Sequence, residues 1–268
     1  MNWSKQFRVQ PGRQVRLAEW DAADTAGWTK DAAAAELARA RTRLMELQHR
    51  LYAENQRALL VVLQGMDAAG KDGVIRHVLS AFNPQGCRVT SFKAPSTVER
   101  AHDFLWRIHR AVPARGEIGV FNRSHYEDVL IVRVRGLAPK AVWSKRYRRI
   151  NEFEALLAEN GVRIVKFFLH ITNAEQRDRL QARLSDPTKN WKFDPADLAE
   201  RKLWPDYQRA YEVALSRCST QAAPWFIIPA NKKWFRNLAA ALILVETLED
   251  MDPRFPKPVS HLSRIVVK

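Results

Sequence analysis

Residues 59–73 read LLVVLQGMDAAGKDG. The apolar run Leu59–Leu63 leads into Gly65, Gly70 and Lys71, the order expected of a buried strand, a tight glycine turn and a helix start. Such a turn aims backbone N–H groups and a helix N-terminus at one point, which makes an anion site whatever anion fills it. The P-loop pattern G-x-x-x-x-G-K is met, with Ala68, Ala69 and Gly73 completing the loop and the first helical turn. The next residue, however, is Asp72, where a standard P-loop has a Ser or Thr hydroxyl for the Mg²⁺ that bridges nucleotide phosphates. Either the match is a chance strand–turn–helix, or the chain holds its metal by another route. Asp67, inside the loop, offers one hard oxygen ligand, directly or through water; its blander role is a turn residue bonding its own backbone.

The surrounding pattern supports the strand–loop–helix order. Short apolar runs predict strands at Ala58–Gln64, Arg88–Lys93, Glu117–Phe121, Val162–Ile171 and Pro224–Ile228. Between and after them, helices are predicted at Lys71–Phe82, Thr97–Val112, Trp143–Asn160, Thr172–Leu184, Asp194–Arg217 and Asn231–Met251. Thr172 with Glu175 reads as a capping box, and Asp194 followed by Pro195 as a cap with proline at the first helical position. An earlier helix, Asp31 to about Glu54, shows Leu37, Ala40, Leu44, Leu47 and Leu51 on one stripe, while the first thirty residues read as irregular. Strands alternating with helices of this length predict one α/β domain with a parallel sheet covered on both faces and an added N-terminal helix.

Two further segments carry candidate chemistry. In GVFNRSHYEDVLIVRVRG, residues 119–136, a strand ending at Phe121 brings Asn122 and Arg123 to the carboxyl edge of the sheet. Many P-loop enzymes have a metal-binding Asp at such a strand end. Here the residue is Asn122, and carboxylates follow only at Glu127 and Asp128. Arg123 is suited to clamp a phosphate bidentately; its blander role is a surface ion pair. The second segment is a basic belt: seven Lys/Arg and no acid from Arg133 to Arg149, then Arg177, Arg179, Arg183, Lys189 and Lys192. In RLSDPTKNWKF, residues 183–193, cations alternate with Pro187, Trp191 and Phe193 between two helices. That reads as a short lid whose Arg183 and Lys192 close over phosphates. Interleaved aromatics also grip single-stranded nucleic acid.

The net charge of +15 favours a polyanionic partner without choosing among nucleic acid, anionic membrane and polymeric phosphate. Cys87 and Cys218 are too few for a disulfide framework and lack metal-ligand spacing, as do the histidines. The N-terminus has no signal-like apolar run, and the longest aliphatic stretch, Leu238–Val245, is far short of a membrane span. A soluble cytoplasmic protein is expected.

Taken together, GMDAAGKDG at 65–73, SFKAPS at 91–96, HDFLWRIH at 102–109, FNRSHYEDV at 121–129, RLSDPTKNWKF at 183–193 and PWFIIPANKKWFRN at 224–237 resemble the polyphosphate kinase 2 family over about residues 8–260. The resemblance implies a P-loop kinase-like three-layer fold with about five parallel strands, as a single domain over 1–268 with an N-terminal extension and helix to about 56 and a helical lid over about 183–217. It implies phosphoryl transfer from inorganic polyphosphate to AMP or ADP with Mg²⁺, or Mn²⁺, as cofactor. Asp67 and Asp128 would hold the metal, Lys71 and Arg123 the transferred phosphoryl group, and Arg183 would be the lid arginine. Gly65, Ala68, Ala69, Gly70, Asp72, Gly73, Asn122, Glu127, Arg133 and Lys192 are the candidate phosphate- and nucleotide-binding positions. Asp72 is then acceptable because the family's metal carboxylates lie elsewhere.

The ADP-specific branch tends to read Asp-Arg-Ser where this chain reads Asn122–Arg123–Ser124. Asn122 with Glu127–Asp128 is closer to branches that accept AMP, and a short single domain is closer to the class III branch that accepts both nucleotides. A homo-oligomer, tetramer or dimer, is also implied; nucleic acid and membrane are not expected partners. Two other readings remain: an ATP-dependent small-molecule or nucleoside kinase on the same fold, and a basic nucleic-acid-binding protein.

Overall fold

Ala58–Gln64 is buried along its whole length and forms β1, the middle strand of a five-stranded parallel sheet. A central parallel strand is covered on both faces, which explains why ALLVVLQ shows no polar alternation. The computed structural model describes residues 2–258; Met1 and residues 259–268 of the expected single domain lie outside the described residues. The other strands are β2 (Cys87–Ser91), β3 (Ile118–Asn122), β4 (Val162–His170) and β5 (Trp225–Pro229), in the order β2-β3-β1-β4-β5. Leu63 pairs with Asn122 on one side and Phe167 on the other, so the carboxyl ends of β1, β3 and β4 share one edge of the sheet. All five expected strands are present, none with an end displaced by more than two residues.

The helices are α1 (Trp3–Phe7), α2 (Lys30–Glu54), α3 (Lys71–His77), α4 (Thr97–Arg100), α5 (Trp106–His109), α6 (Ile131–Val134), α7 (Lys140–Glu159), α8 (Asn173–Ser185), α9 (Ala196–Lys202), α10 (Trp204–Cys218) and α11 (Lys233–Met251). Alternate β1 residues serve two cores. Leu59, Val61 and Leu63 pack with α2, α3 and α11; Leu60 and Val62 pack with α7 and α10. The stripe expected on α2 is that contact, with Leu44 and Leu51 fully buried. At about 2–5 kcal/mol for a buried Leu→Ala change, α2 is part of the core rather than an appendage.

Several boundaries differ from the sequence reading. The first thirty residues are not all irregular. Asn2 caps α1 through Lys5 N (2.7 Å), and the Glu246 carboxylate of α11 accepts from Trp3 N (2.8 Å) and Ser4 N (2.7 Å). A five-residue helix is too short to show periodicity, and the acid that holds its positive end lies far away in sequence. The helix expected over Thr97–Val112 is two short ones, because Asp103 turns the chain by accepting from Leu105 N with its side chain and from Trp106 N with its carbonyl. The stretch Asp194–Arg217 divides at Leu203, since Pro205 has no N–H to continue α9 and instead sits in the first turn of α10. The helix expected to reach Phe82 ends at His77, followed by a 3₁₀ turn at Leu79–Ala81, where the Ser80 hydroxyl takes the Arg76 carbonyl. Only half of the expected capping box forms, because Thr172 accepts from Glu175 N while the Glu175 side chain turns to Arg179. The expected cap at Asp194 is displaced: Pro195, not Asp194, is the N-cap of α9, and the Asp194 side chain accepts from Ala196 N in a turn just ahead of the helix. Among the described residues no helix is long and apolar enough to cross a membrane.

Beneath the sheet, on the α7 side, lies a fully enclosed polar cluster. Lys166 Nζ donates to Glu154 Oε2 (2.5 Å), the Tyr126 hydroxyl (2.8 Å) and the Cys218 carbonyl (2.7 Å). Glu154 Oε1 also accepts from Tyr126 (2.9 Å) and faces His125 Nε2 at 3.1 Å. Burial raises the Glu154 carboxyl, but Lys166 and His125 more than offset that and keep it ionised. His125 and Tyr126 belong to the 3₁₀ turn His125–Val129, so the cluster anchors the segment that carries Glu127 and Asp128. Removing one partner of a buried pair leaves a bare charge. Glu154→Ala is therefore expected to cost about 3–5 kcal/mol in urea unfolding, and Glu154→Leu combined with Lys166→Met to recover most of it. Equal losses in the single and double variants would contradict this pairing.

Candidate active site

β1 ends at Gln64 and α3 begins at Lys71; the loop between them lies at the carboxyl edge of the sheet. Gly65 is at φ +153°, and a Cβ there would stand 2.8 Å from the Leu169 carbonyl of β4, so only glycine lets the loop leave the sheet this closely. Ala68 (φ 64°) and Gly70 (φ 106°) complete the turn in left-handed conformations. Lys71 is buried and lies back along the loop, donating to Gly65 O (2.8 Å) and Met66 O (3.3 Å). Burial and the neighbouring Arg123 lower its pKa, while Asp67, Glu127 and Asp72 oppose them.

Arg123 follows β3 in a left-handed conformation (φ 62°), its N–H bonded to Leu63 O at 3.0 Å across the strand pair. This bend turns its guanidinium onto Asp67 Oδ1, 2.8 Å away. Burial disfavours the Arg123 charge, but Glu127 and Asp67 more than offset it. Asn122 donates to Asp72 Oδ1 at 2.9 Å, so the residue that replaces the P-loop hydroxyl bonds the residue that replaces the strand-end aspartate.

The neighbouring carboxylates Glu127 and Asp128 have different surroundings. Burial raises the Glu127 carboxyl, opposed by Arg123 and Lys71, with Asp67 adding to the rise. Asp128 is also raised by burial, opposed chiefly by Arg146 and then Arg107. Arg146 donates to its Oδ1 at 2.9 Å while lying over the Phe104 ring. The carboxylate that shares the surroundings of Asp67 is thus Glu127, and Asp128 is occupied by Arg146.

The residues expected to form a lid lie on α8 and beyond. Arg183 donates to Asp197 Oδ2 (3.3 Å) and Lys192 O (3.2 Å). Burial, with Asp67 adding to it, raises the Asp197 carboxyl. Lys192 covers the exposed Trp191 ring, and Arg133 is held by the Tyr147 hydroxyl and the Trp143 ring. Within the segment expected as a lid, about 183–217, α10 buries Tyr207, Ala210, Tyr211, Ala214 and Leu215 in the core.

Two residues of α8 were not legible as site residues. Arg179, read as part of the basic surface, is buried and donates to Ala68 O and Ala69 O (both 2.9 Å), Ala230 O (2.5 Å) and Asn231 O (3.1 Å), with Glu175 at 2.7 Å. Gln176 Nε2 donates to Asp67 O at 3.0 Å. Three successive loop carbonyls, of Asp67, Ala68 and Ala69, are thus satisfied by α8 side chains. Helical spacing put Gln176, Arg179 and Arg183 on one face, but charge alone suggested solvent.

The arrangement is suited to bind an anion and neutralise charge at one point. A carboxyl raised in the folded state is more stable protonated, so its ionisation costs stability as pH rises from its ordinary value of 4.5 through the folded value. Glu127→Gln is therefore expected to be more stable than wild type in denaturant unfolding at neutral pH, with the difference vanishing below the ordinary value. A destabilised variant at neutral pH would show that Glu127 is held by attraction rather than kept against burial.

Comparison with known proteins extends these observations. The sequence profile described as polyphosphate kinase 2 matches residues 27–256. The AMP/ADP-polyphosphate phosphotransferase of Meiothermus ruber is 53% identical over 98% of this chain and 100% of its own. The ADP-polyphosphate phosphotransferase of Rhodopseudomonas palustris is 49% identical over 95% of this chain and 92% of its own. The crystal structure of polyphosphate kinase 2 from Arthrobacter aurescens TC1 superposes with a TM-score of 0.95 at 46% identity, covering 98% of this chain and 95% of that one.

Proposed function

The chain belongs to the polyphosphate kinase 2 family, and from that premise we propose that it transfers phosphoryl groups reversibly between inorganic polyphosphate and adenine nucleotides, taking AMP to ADP and ADP to ATP. The observation that carries the reading is the convergence of Lys71, Arg123 and the loop with Asp67 and Glu127 at one sheet edge. In-line phosphoryl transfer asks the protein mainly for positioning and charge neutralisation. Lys71 and Arg123 supply fixed positive charge, and Arg183 supplies a cation that release from Asp197 would free to meet the transferring group. The nucleotide phosphate is then the nucleophile, and no covalent enzyme intermediate is needed. A net charge of +15 suits a donor carrying about one negative charge per phosphate, whose binding releases counterions as nucleic acid does.

Mg²⁺, or Mn²⁺, is part of the proposal. Among the described residues no three His, Cys, Asp or Glu side chains gather as a metal cage. That fits Mg²⁺, which is usually held by one or two carboxylates and by substrate phosphates. Asp67 keeps one carboxylate oxygen free of Arg123, and Glu127 shares its surroundings. Asp128 would join them only by releasing Arg146. When bound, the ion neutralises charge on the bridging phosphate oxygens.

The choice of both AMP and ADP as acceptors is supported by Asn122, which keeps a second carboxylate away from the incoming phosphate, and by the name of the Meiothermus ruber relative. A cytoplasmic homo-oligomer, dimer or tetramer, completes the proposal. Two free thiols suit a reducing compartment, and exposed Tyr52 and Val89 near edge strand β2 suit a subunit contact.

Initial rates with Mg²⁺ and either AMP or ADP, with polyphosphate or ATP as donor, test the reading. Both acceptors are expected to turn over with polyphosphate. Arg183→Ala is expected to slow both steps by roughly 10³-fold or more, as loss of a transition-state arginine does elsewhere. Transfer from ATP to an uncharged acceptor, with none from polyphosphate, would replace this function with an ordinary small-molecule kinase.

A further inference from the structure

Arg236 of α11 is 3% exposed and lies directly behind the glycine loop. A Cβ built on Gly70 would stand 1.8 Å from its Nη1, and one on Gly73 would stand 2.4 Å from its Nη2. Gly70 needs its backbone conformation in any case, but Gly73 is ordinary helix, so the side chain it lacks is space filled by the guanidinium. The acceptors around Arg236 are all neutral: Asn237 Oδ1 at 3.1 Å and 2.8 Å from Nε and Nη2, and Ala69 O at 3.5 Å from Nη1. Among the described residues no carboxylate reaches it, and the charge that bears on it is another cation, Arg179. Arg179 differs in having Glu175 at 2.7 Å. Burial and Arg179 push Arg236 down to about 10, which leaves it charged at neutral pH.

A buried charge without a counter-ion is unfavourable, and it persists only where something else makes use of it. The loop that Arg236 packs against, at Gly70 and Gly73, is the one whose glycine pattern and Lys71 mark the proposed phosphate site. We propose that Arg236 is a positioning residue whose counter-ion is the phosphate bound on the far side of the loop, so that its charge raises affinity for the polyanion without touching it. The proposal rests on the loop being the phosphate site. It also accounts for Gly73, which a larger side chain would turn into a wedge against the guanidinium.

Such a charge has opposite effects on the free and the bound protein, and a merely structural residue does not. Arg236→Gln keeps a polar side chain for Asn237 and removes the charge. Melting of the full chain would be followed with and without Mg²⁺ and inorganic tripolyphosphate, alongside kcat and KM for polyphosphate. The variant is expected to melt at or above the wild-type temperature when free, to gain less from tripolyphosphate, and to bind it roughly tenfold more weakly, about 1.4 kcal/mol. KM should rise more than kcat falls, since the charge acts on bound ground state and transition state alike. Gly73→Ala should weaken tripolyphosphate binding in the wild-type background and add little in Arg236→Gln. A variant that melts below wild type with unchanged tripolyphosphate affinity would make Arg236 a structural residue and overturn the proposal. Equal Gly73→Ala penalties in both backgrounds would overturn it as well. If wild type itself gained nothing from tripolyphosphate, the phosphate site would fall and the proposal with it; a gain in wild type that Arg236→Gln fully retains would remove the proposal alone.

Discussion

A loop can offer its N–H groups to an anion only if its carbonyls are bonded elsewhere, and much of this site follows from how that is done. Gln176 and Arg179 take the carbonyls of Asp67, Ala68 and Ala69, and Arg179 also holds those of Ala230 and Asn231 after β5. One helix thereby ties the loop after β1 to the segment after β5, two strands away in the sheet. The same face of α8 continues to Arg183, which rests on Asp197. Arg183 is thus held in register with the loop by the same helix that bonds the loop carbonyls.

The charges of the site are arranged in the same economical way. Asp72 and Asn122 stand where a standard P-loop has a hydroxyl and a strand-end carboxylate, and they bond each other. Arg123 accepts a left-handed backbone, a conformation that costs energy outside glycine, and thereby reaches Asp67. The turn that follows is fixed from beneath by Glu154 and Lys166 through His125 and Tyr126, so Glu127 and Asp128 are held toward different neighbours. Polar groups buried at some cost in the core thus set the direction of carboxylates at the surface of the site.

Much of this was legible in the sequence. Period and composition gave every strand, because parallel strands buried on both faces leave continuous apolar runs, and Gly65–Lys71 announced the loop. What sequence could not show was the partner of each charge. Arg179 reads like its neighbours Arg177 and Arg183, yet it is buried because its donors meet carbonyls contributed by two distant segments. Asp128 looks as available as Glu127 until Arg146, eighteen residues on, is seen to occupy it. The helix α1 depended on Glu246, and the division of Thr97–Val112 depended on the turn at Asp103. Local pattern predicts elements; long-range hydrogen bonds decide which polar side chains are buried and with what partner.

In the proposed function Asp72 and Asn122 act as one unit, an amide–carboxylate pair that keeps a single negative charge beside the proposed acceptor site. A double-mutant cycle on AMP phosphorylation measures this directly, using Asp72→Asn, Asn122→Asp and the two together. The account predicts that Asn122→Asp alone sharply lowers kcat/KM, because two carboxylates then face each other. The exchanged pair should recover most of the loss, with a coupling of about 1 kcal/mol or more between the sites. Penalties that simply add, with no recovery in the exchanged pair, would show that the two residues contribute separately and would contradict the account.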